Sequence, residues 1–85
     1  MSMIISREDL VRILGNTIVE KAEKMPEEEY EELKWAHLTE ILKHFEKVAH
    51  TSLFEARRSY LLGLNTLMKV MLVRHIFESE SVENL

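Results

Sequence analysis

The scarcity of turn-forming residues is the feature that most limits what this chain can fold into. Its 85 residues include only two glycines, Gly15 and Gly63, and one proline, Pro26. Because tight turns depend heavily on these residue types, the chain has material for only a few long elements. Apolar residues make up 46% of the chain and charged residues 31%, which is the balance of a globular domain. We therefore expect a single domain over residues 1–80, followed by a flexible tail at residues 81–85.

The spacing of apolar residues predicts helices throughout this domain. Ser6 is followed three positions later by Asp9, an arrangement that caps a helix N-terminus. Pro26 suits the first turn of a second helix, where the missing N–H is not needed. The predicted helices span about residues 6–24, 26–49 and 53–79. The sequence thus predicts an all-α fold, a three-helix, mainly antiparallel bundle in which helix 3 is the longest and forms an interaction face.

The boundary between the second and third helices leaves an alternative open. The apolar pattern is interrupted at residues 49–52, but neither glycine nor proline stands there. In the alternative, helices 2 and 3 form one bent rod, and a second chain is needed to cover its apolar side chains. We favour the separate helices.

The third predicted helix carries more apolar side chains than one face can hold. Leu61, Leu64, Met68 and Met71 occupy its main face, but further apolar residues lie elsewhere around the helix. We predict that this surplus surface binds another protein or a second copy of the chain. The residues predicted to form the partner interface are Leu62, Val70, Val73 and Phe77, with Arg74 and His75 at its rim.

The sequence offers little that would support catalysis or metal binding. The chain has no cysteine, which excludes disulfides and thiolate nucleophiles. His37, Glu40 and His44 stand at i, i+3 and i+7 and could aim two imidazoles and a carboxylate in one direction, but a solvated helix face explains them as well. We therefore predict no enzymatic activity, no cofactor and no metal, and keep a metal-binding bundle as an alternative.

The charge distribution favours a protein partner over nucleic acid. The net charge is −4, and Arg57, Arg58, Lys69 and Arg74 are spread along the third helix instead of forming a compact basic patch. Direct nucleic-acid binding is therefore unexpected, although a small nucleic-acid-binding bundle remains an alternative. No stretch of about 20 uncharged apolar residues is present, so we expect no membrane segment. The absence of cysteine favours a cytoplasmic location.

Two segments carry a family resemblance: the acidic run around Tyr30 at residues 27–33 and the alternating apolar and basic run at residues 67–76. With the predicted helices, this layout resembles the helical A domain of archaeal GINS subunits, non-enzymatic factors of the replicative helicase, over roughly residues 6–78. The resemblance implies assembly with similar helical subunits through helix 3. GINS subunits normally add a small β-rich domain, which the residues after 80 cannot supply.

The predicted function is therefore that of a non-enzymatic protein–protein interaction or assembly subunit, an accessory factor of DNA replication if the resemblance holds. The alternative is a self-associating structural helical protein.

Overall fold

The computed structural model describes the backbone of residues 4–83 and the side chains of residues 4–79. Within this range the chain forms six helices and no strand. The helices are α1 (Arg7–Leu14), α2 (Asn16–Lys24), α3 (Glu27–Ala36), α4 (Leu38–Ala49), α5 (Phe54–Leu62) and α6 (Thr66–Glu83). The predicted three-helix bundle is therefore wrong. Each of the three predicted helices is broken near its middle, and each break yields two shorter helices.

The first break lies at Gly15, between α1 and α2. Gly15 has φ +92° and ψ 156°, a combination that is essentially restricted to glycine. The backbone therefore leaves the helical path at this single residue, and α2 folds back along α1. As a result Arg7, at the start of α1, lies beside Glu23, near the end of α2, with 2.8 Å between Nε and Oε2.

The other two breaks lie at His37 and at residues 63–65. His37 has φ −127° and ψ 24°, and it ends α3 and precedes α4. Residues 63–65 end α5, and Asn65 then caps α6 because its Oδ1 accepts the N–H of Met68 at 2.8 Å. Asn65 is a recognisable cap residue, whereas nothing about His37 in the sequence indicates a helix end.

The link between α4 and α5 excludes the bent rod. Helix α4 ends at Ala49, and the chain then turns back, so that Tyr60 of α5 is hydrogen-bonded to His44 of α4 while α5 packs mainly against α1. The Arg57 guanidinium holds this reversal in place. It donates to the carbonyls of Val48 and Thr51 and also, at 2.8 Å, to the carbonyl of Ile4.

Helix α6 forms the centre of the molecule. Six of its side chains are buried: Met68, Val70, Met71, Leu72, Val73 and Ile76. The main core adds buried residues from every other helix of the described chain: Leu10, Ile13, Val19, Ala22, Tyr30, Val48 and Leu61 among them. The shorter helices thus surround α6 and cover the apolar surface that was predicted to bind a partner.

The predicted flexible tail is also partly helical. The backbone of α6 continues to Glu83, so residues 81–83 belong to the helix, and residues 84–85 lie outside the described part of the chain.

The Gly15 conformation generates a prediction about stability. Replacing Gly15 by Ala should lower the free energy of unfolding by about 1–3 kcal/mol, because a Cβ at this φ is strained even though the space around it is open. Urea denaturation measures the change. The matched control is Gly63→Ala, where φ is −76° and the added Cβ would lie 3.4 Å from its nearest neighbour. This variant should remain within about 1 kcal/mol of the original. Equal losses in both variants would contradict the assigned role of Gly15.

Candidate functional site

The structure places most of the predicted interface residues inside the molecule. Val70 and Val73 are 1% and 0% exposed and belong to the core between α6 and its neighbours. Phe77 is half-buried against the same core, and Leu62 is the apolar member of the set that is exposed. The apolar face predicted for a partner is therefore covered by the chain's own helices, which is a correction to the sequence-based assignment.

Arg74, predicted to lie at an interface rim, joins α6 to the segment between α2 and α3. Its Nη1 donates to the carbonyls of Ala22 at 2.9 Å and Met25 at 2.6 Å. Its other nitrogens bond the carboxylates of Glu27 at 2.9 Å and Glu78 at 3.0 Å. Burial disfavours the charged guanidinium, but the bonds to Glu78 and Glu27 outweigh it and raise the pKa of Arg74. The charged side chain of Arg74 therefore links α6 to the end of α2 and the start of α3.

The carboxylates around Arg74 form the one acidic cluster with metal-ligand spacing within the described residues. Oxygens of Glu27, Glu31 and Glu78 lie within 4.8 Å of one another. Arg74 pairs with Glu27 and Glu78, and Lys34 pairs with Glu31, so these two cations offset part of the negative charge of the cluster. The alternative ligand set from the sequence is not assembled: His44 bonds Tyr60 through its Nδ1, while His37 lies 3.7 Å from Glu40.

His75, the other predicted rim residue, is half-buried between two aromatic side chains. Its Nδ1 lies 3.5 Å from the hydroxyl of Tyr30, and its ring meets that of Phe45 edge-on at a centroid distance of 4.8 Å. Burial lowers the pKa of His75, the charge of Lys34 lowers it further, and Glu78 opposes both effects. Burial likewise raises the pKa of Tyr30 to about 12. Burial therefore favours the neutral form of both rings; Tyr30 belongs to the core, and His75 stands beside it.

The Arg74 contacts lead to a second prediction. Arg74→Met should lower the free energy of unfolding by about 1–3 kcal/mol, because it leaves the carbonyls of Ala22 and Met25 without their donor. Arg7→Met is the matched control, since Arg7 is exposed and solvent screens its ion pair with Glu23, so the loss should be much smaller. Urea denaturation of the two variants compares them directly. If Arg7→Met lowered the free energy of unfolding as much as Arg74→Met, the structural role assigned to Arg74 would be refuted.

His75 leads to a prediction on pH. Because the native state holds this imidazole at a lowered pKa, the unfolded chain binds a proton more readily. His75 should therefore make the protein less stable as the pH falls below the ordinary histidine pKa of about 6.5, and this loss should be absent at pH 7.5 and above. Free energies of unfolding at several pH values between 5 and 8 measure this dependence.

The control for this pH effect is a pair of histidine substitutions. His75→Gln should flatten the decline below about pH 6.5, whereas His50→Gln, at an exposed position, should leave it in place. An unchanged decline in His75→Gln would assign the pH dependence to other groups.

The surface that does expose apolar side chains lies elsewhere. A second, smaller core cluster consists of Ile41, Met68 and Met71, with Leu33 and Leu64 packed against it. Four large exposed apolar residues stand one or two positions from members of this cluster: Trp35 after Leu33, Leu42 after Ile41, Leu62 before Leu64 and Leu67 before Met68. Each of the four is thus a close sequence neighbour of a residue that packs in this cluster. We call the surface formed by Trp35, Leu42, Leu62 and Leu67 the apolar end.

The members of the apolar end are well exposed and flank two breaks between helices. Trp35 is 68% exposed, Leu42 47% and Leu67 44%. Trp35 and Leu42 stand on the two sides of the break at His37, and Leu62 and Leu67 stand on the two sides of the break at residues 63–65. Residues beside both breaks pack in the second cluster: Leu33 and Ile41 at the first, Leu64 and Met68 at the second.

Basic side chains border the apolar end. Lys43 follows Leu42, Lys69 stands two residues after Leu67, and Arg58 precedes Leu62 by one helical turn. None of these three cations forms an ion pair with another side chain of residues 4–79. Acids without a Lys or Arg partner stand nearby as well: Glu40 and Glu46 one turn to either side of Lys43, and Glu55 one turn before Arg58. The three cations are therefore unpaired, but the rim carries both signs of charge.

Sequence reasoning missed this surface because Trp35, Leu42 and Leu67 all occupy positions that fit a core. Trp35 and Leu42 belong to a heptad-like seam on the predicted second helix, and Leu67 lies on the main face of the predicted third. The structure instead leaves these residues exposed beside the breaks at His37 and at residues 63–65. Gly63 and Asn65, a turn-forming residue and a cap residue within the predicted third helix, are the signals that could have revealed a break there.

Comparisons with protein-family models, curated proteins and solved structures found no match to this chain. The relation to the GINS A domain and the role in replication remain predictions. None of the helices in the described part of the chain combines the length and apolar character that a membrane crossing requires.

Proposed function

We propose that this chain is a non-catalytic protein-binding domain whose apolar end docks on a partner protein. The observation that carries the proposal is that four exposed large apolar residues are close sequence neighbours of residues packed in the second core cluster. Because contiguous exposed apolar patches are typical of interaction surfaces, we assign these four residues to one such surface. Trp35 is the natural anchor, since tryptophan is enriched among the residues that dominate binding energy.

The energy available at this surface is sufficient for a specific complex. Complete burial of a large apolar side chain contributes about 1.5–3 kcal/mol relative to exposure. Trp35, Leu42 and Leu67 are each still roughly half or more exposed, so a partner can remove a large part of their surface from water. The cost of association must be subtracted from the sum, which leaves a complex of moderate affinity.

We assign the three unpaired cations Lys43, Arg58 and Lys69 as contacts for a partner segment that carries acidic residues. A second copy of the chain would bring only the same set of cations and acids against this end in a two-fold dimer. A segment with apolar residues flanked by Asp or Glu instead places opposite charges together. The occupant we propose is therefore an amphipathic helix of another protein, apolar on one side and acidic at its margins.

This proposal keeps the function expected from the sequence but moves the interface. The predicted face on Val70 and Val73 is replaced by the apolar end, and Leu62 is the residue that the two surfaces share. Association with a replication assembly, as the GINS resemblance implies, would be one specific case of such binding.

Two synthetic helical peptides test the proposal. They share leucines at helical spacing and differ in having either glutamate or lysine at the flanking positions. The glutamate peptide should shift the resonances of the Trp35 indole and of the amides at Leu42 and Leu67 in NMR titrations. The lysine peptide should bind about tenfold more weakly because it repels the three unpaired cations. Equal binding of both peptides would overturn the assignment of an acidic partner.

Substitutions at the apolar end provide the matched comparison. Trp35→Ser combined with Leu67→Ser should abolish binding of the glutamate peptide while leaving the helical circular dichroism unchanged. The control is Leu53→Ser, because Leu53 is 72% exposed but lies in the link between α4 and α5. Loss of binding in the control, or retention in the double variant, would refute the proposed surface. Light scattering tests whether a second copy of the chain occupies the apolar end instead. If the original protein and the Leu53→Ser control are dimers and the double variant is a monomer, the occupant is a second copy, and the proposal of an acidic partner is overturned.

A further inference from the structure

A groove between α4 and α5 has a chemistry that the apolar end does not share. It encloses about 490 Å³ and is lined by Lys43, Glu46, Lys47 and His50 from α4 and by Tyr60 from α5. This volume lies within the range of about 300–1,000 Å³ that is common for small-molecule sites. The groove is therefore large enough for a small ligand and contains mostly cationic or neutral side chains.

Hydrogen bonds hold the two walls of the groove together. The hydroxyl of Tyr60 bonds Nδ1 of His44, and the two rings are 5.6 Å apart with an interplanar angle of 57°. Arg57, one turn before Tyr60, fastens the start of α5 to the carbonyls of Val48 and Thr51 at the end of α4. The position of the Tyr60 ring relative to α4 is thus set by contacts on both sides of it.

The two lysines converge on one side of the groove. Lys43 and Lys47 stand at i and i+4, which places their Cβ atoms about 5–6 Å apart on one face of a helix. Neither forms an ion pair with another side chain of residues 4–79. His50 follows Lys47 by one turn and adds a further N–H donor. Three nitrogen donors without carboxylate partners thus line one edge of the groove.

Two features oppose an anion in this groove. Glu46 carries a negative charge, and the last carbonyls of α4 present the negative end of the helix dipole near His50. The dipole contributes a partial charge of about −0.5, whereas each ammonium contributes a full positive charge. The two lysines therefore outweigh the single carboxylate and the helix end together.

We propose that this groove binds a phosphate or phosphomonoester group, with Lys43 and Lys47 pairing its oxygens and His50 donating a hydrogen bond. The ring of Tyr60 supplies an apolar wall for the organic part of a phosphomonoester. Two lysines and a histidine suit one small anion, whereas a nucleic-acid backbone would require a longer row of cations. The inference stands independently of protein binding at the apolar end.

The test uses NMR titration of the full chain in phosphate-free buffer with inorganic phosphate, adenosine monophosphate and adenosine. Inorganic phosphate and the monophosphate should each produce saturable amide shifts at residues 43–50 and at Tyr60, and adenosine should not. Tighter binding of the monophosphate would identify a phosphomonoester as the ligand, and equal affinities would identify free phosphate. Shifts that fail to saturate, or adenosine binding as tight as that of the monophosphate, would overturn the proposal.

Substitutions in the groove should act in opposite directions. Lys43→Gln with Lys47→Gln should weaken binding about tenfold, and Glu46→Gln should tighten it about threefold by removing a repulsive charge. The matched control is Lys21→Gln with Lys24→Gln on α2, which changes the net charge by the same amount at exposed positions outside the groove. Equal weakening by the control pair would show that net charge alone attracts the anion and would refute a site. Weaker binding by Glu46→Gln would contradict the proposed electrostatics.

Discussion

The burial of α6 on nearly all sides is the constraint on which the rest of the structure depends. Adjacent residues on a helix point about 100° apart, so the consecutive buried run from Val70 to Val73 faces every direction around the axis. A single helix packed on one side cannot cover such an element. The 65 or so residues that precede α6 must therefore surround it, and only short helices with sharp reversals between them can do so. The three breaks in the predicted helices are consequences of this requirement.

Two arginines stabilise the reversals that this arrangement needs. The last carbonyls of a helix have no intrahelical donor, and burying them without one is costly. Arg74 donates to the carbonyls of Ala22 and Met25 at the end of α2, and Arg57 donates to that of Val48 at the end of α4. Both arginines thus place a positive charge at a helix C-terminus, where the dipole favours it. They are structural residues, although their charge suggested a surface role.

The two candidate surfaces, the apolar end and the groove, both lie where one helix ends and the next begins, but at different places in the chain. The apolar end lies at two breaks between helices whose neighbouring residues pack in the second cluster, while Trp35, Leu42, Leu62 and Leu67 remain exposed. The groove exists because the chain doubles back after α4, which brings Tyr60 of α5 beside the lysines of α4. Lys43 borders both surfaces, so a ligand in the groove would alter the charge at the rim of the apolar end. This proximity offers a direct route by which an anion could influence the binding of an acidic partner.

Composition and periodicity alone determined the helical class, the cap at Ser6, the helix start after Pro26 and the interruption near residue 50. These features depend on local hydrogen bonding and on the repeat of apolar side chains, both of which can be read from neighbouring residues. The surplus of apolar residues in the third predicted helix was also evident, but what covers them was not. Whether a surplus face meets another chain or the same chain depends on long-range packing. Only the tertiary structure decided that Val70 and Val73 are core, that His37 is a helix break and that Trp35 and Leu67 are exposed, because each outcome depends on contacts between residues far apart in sequence.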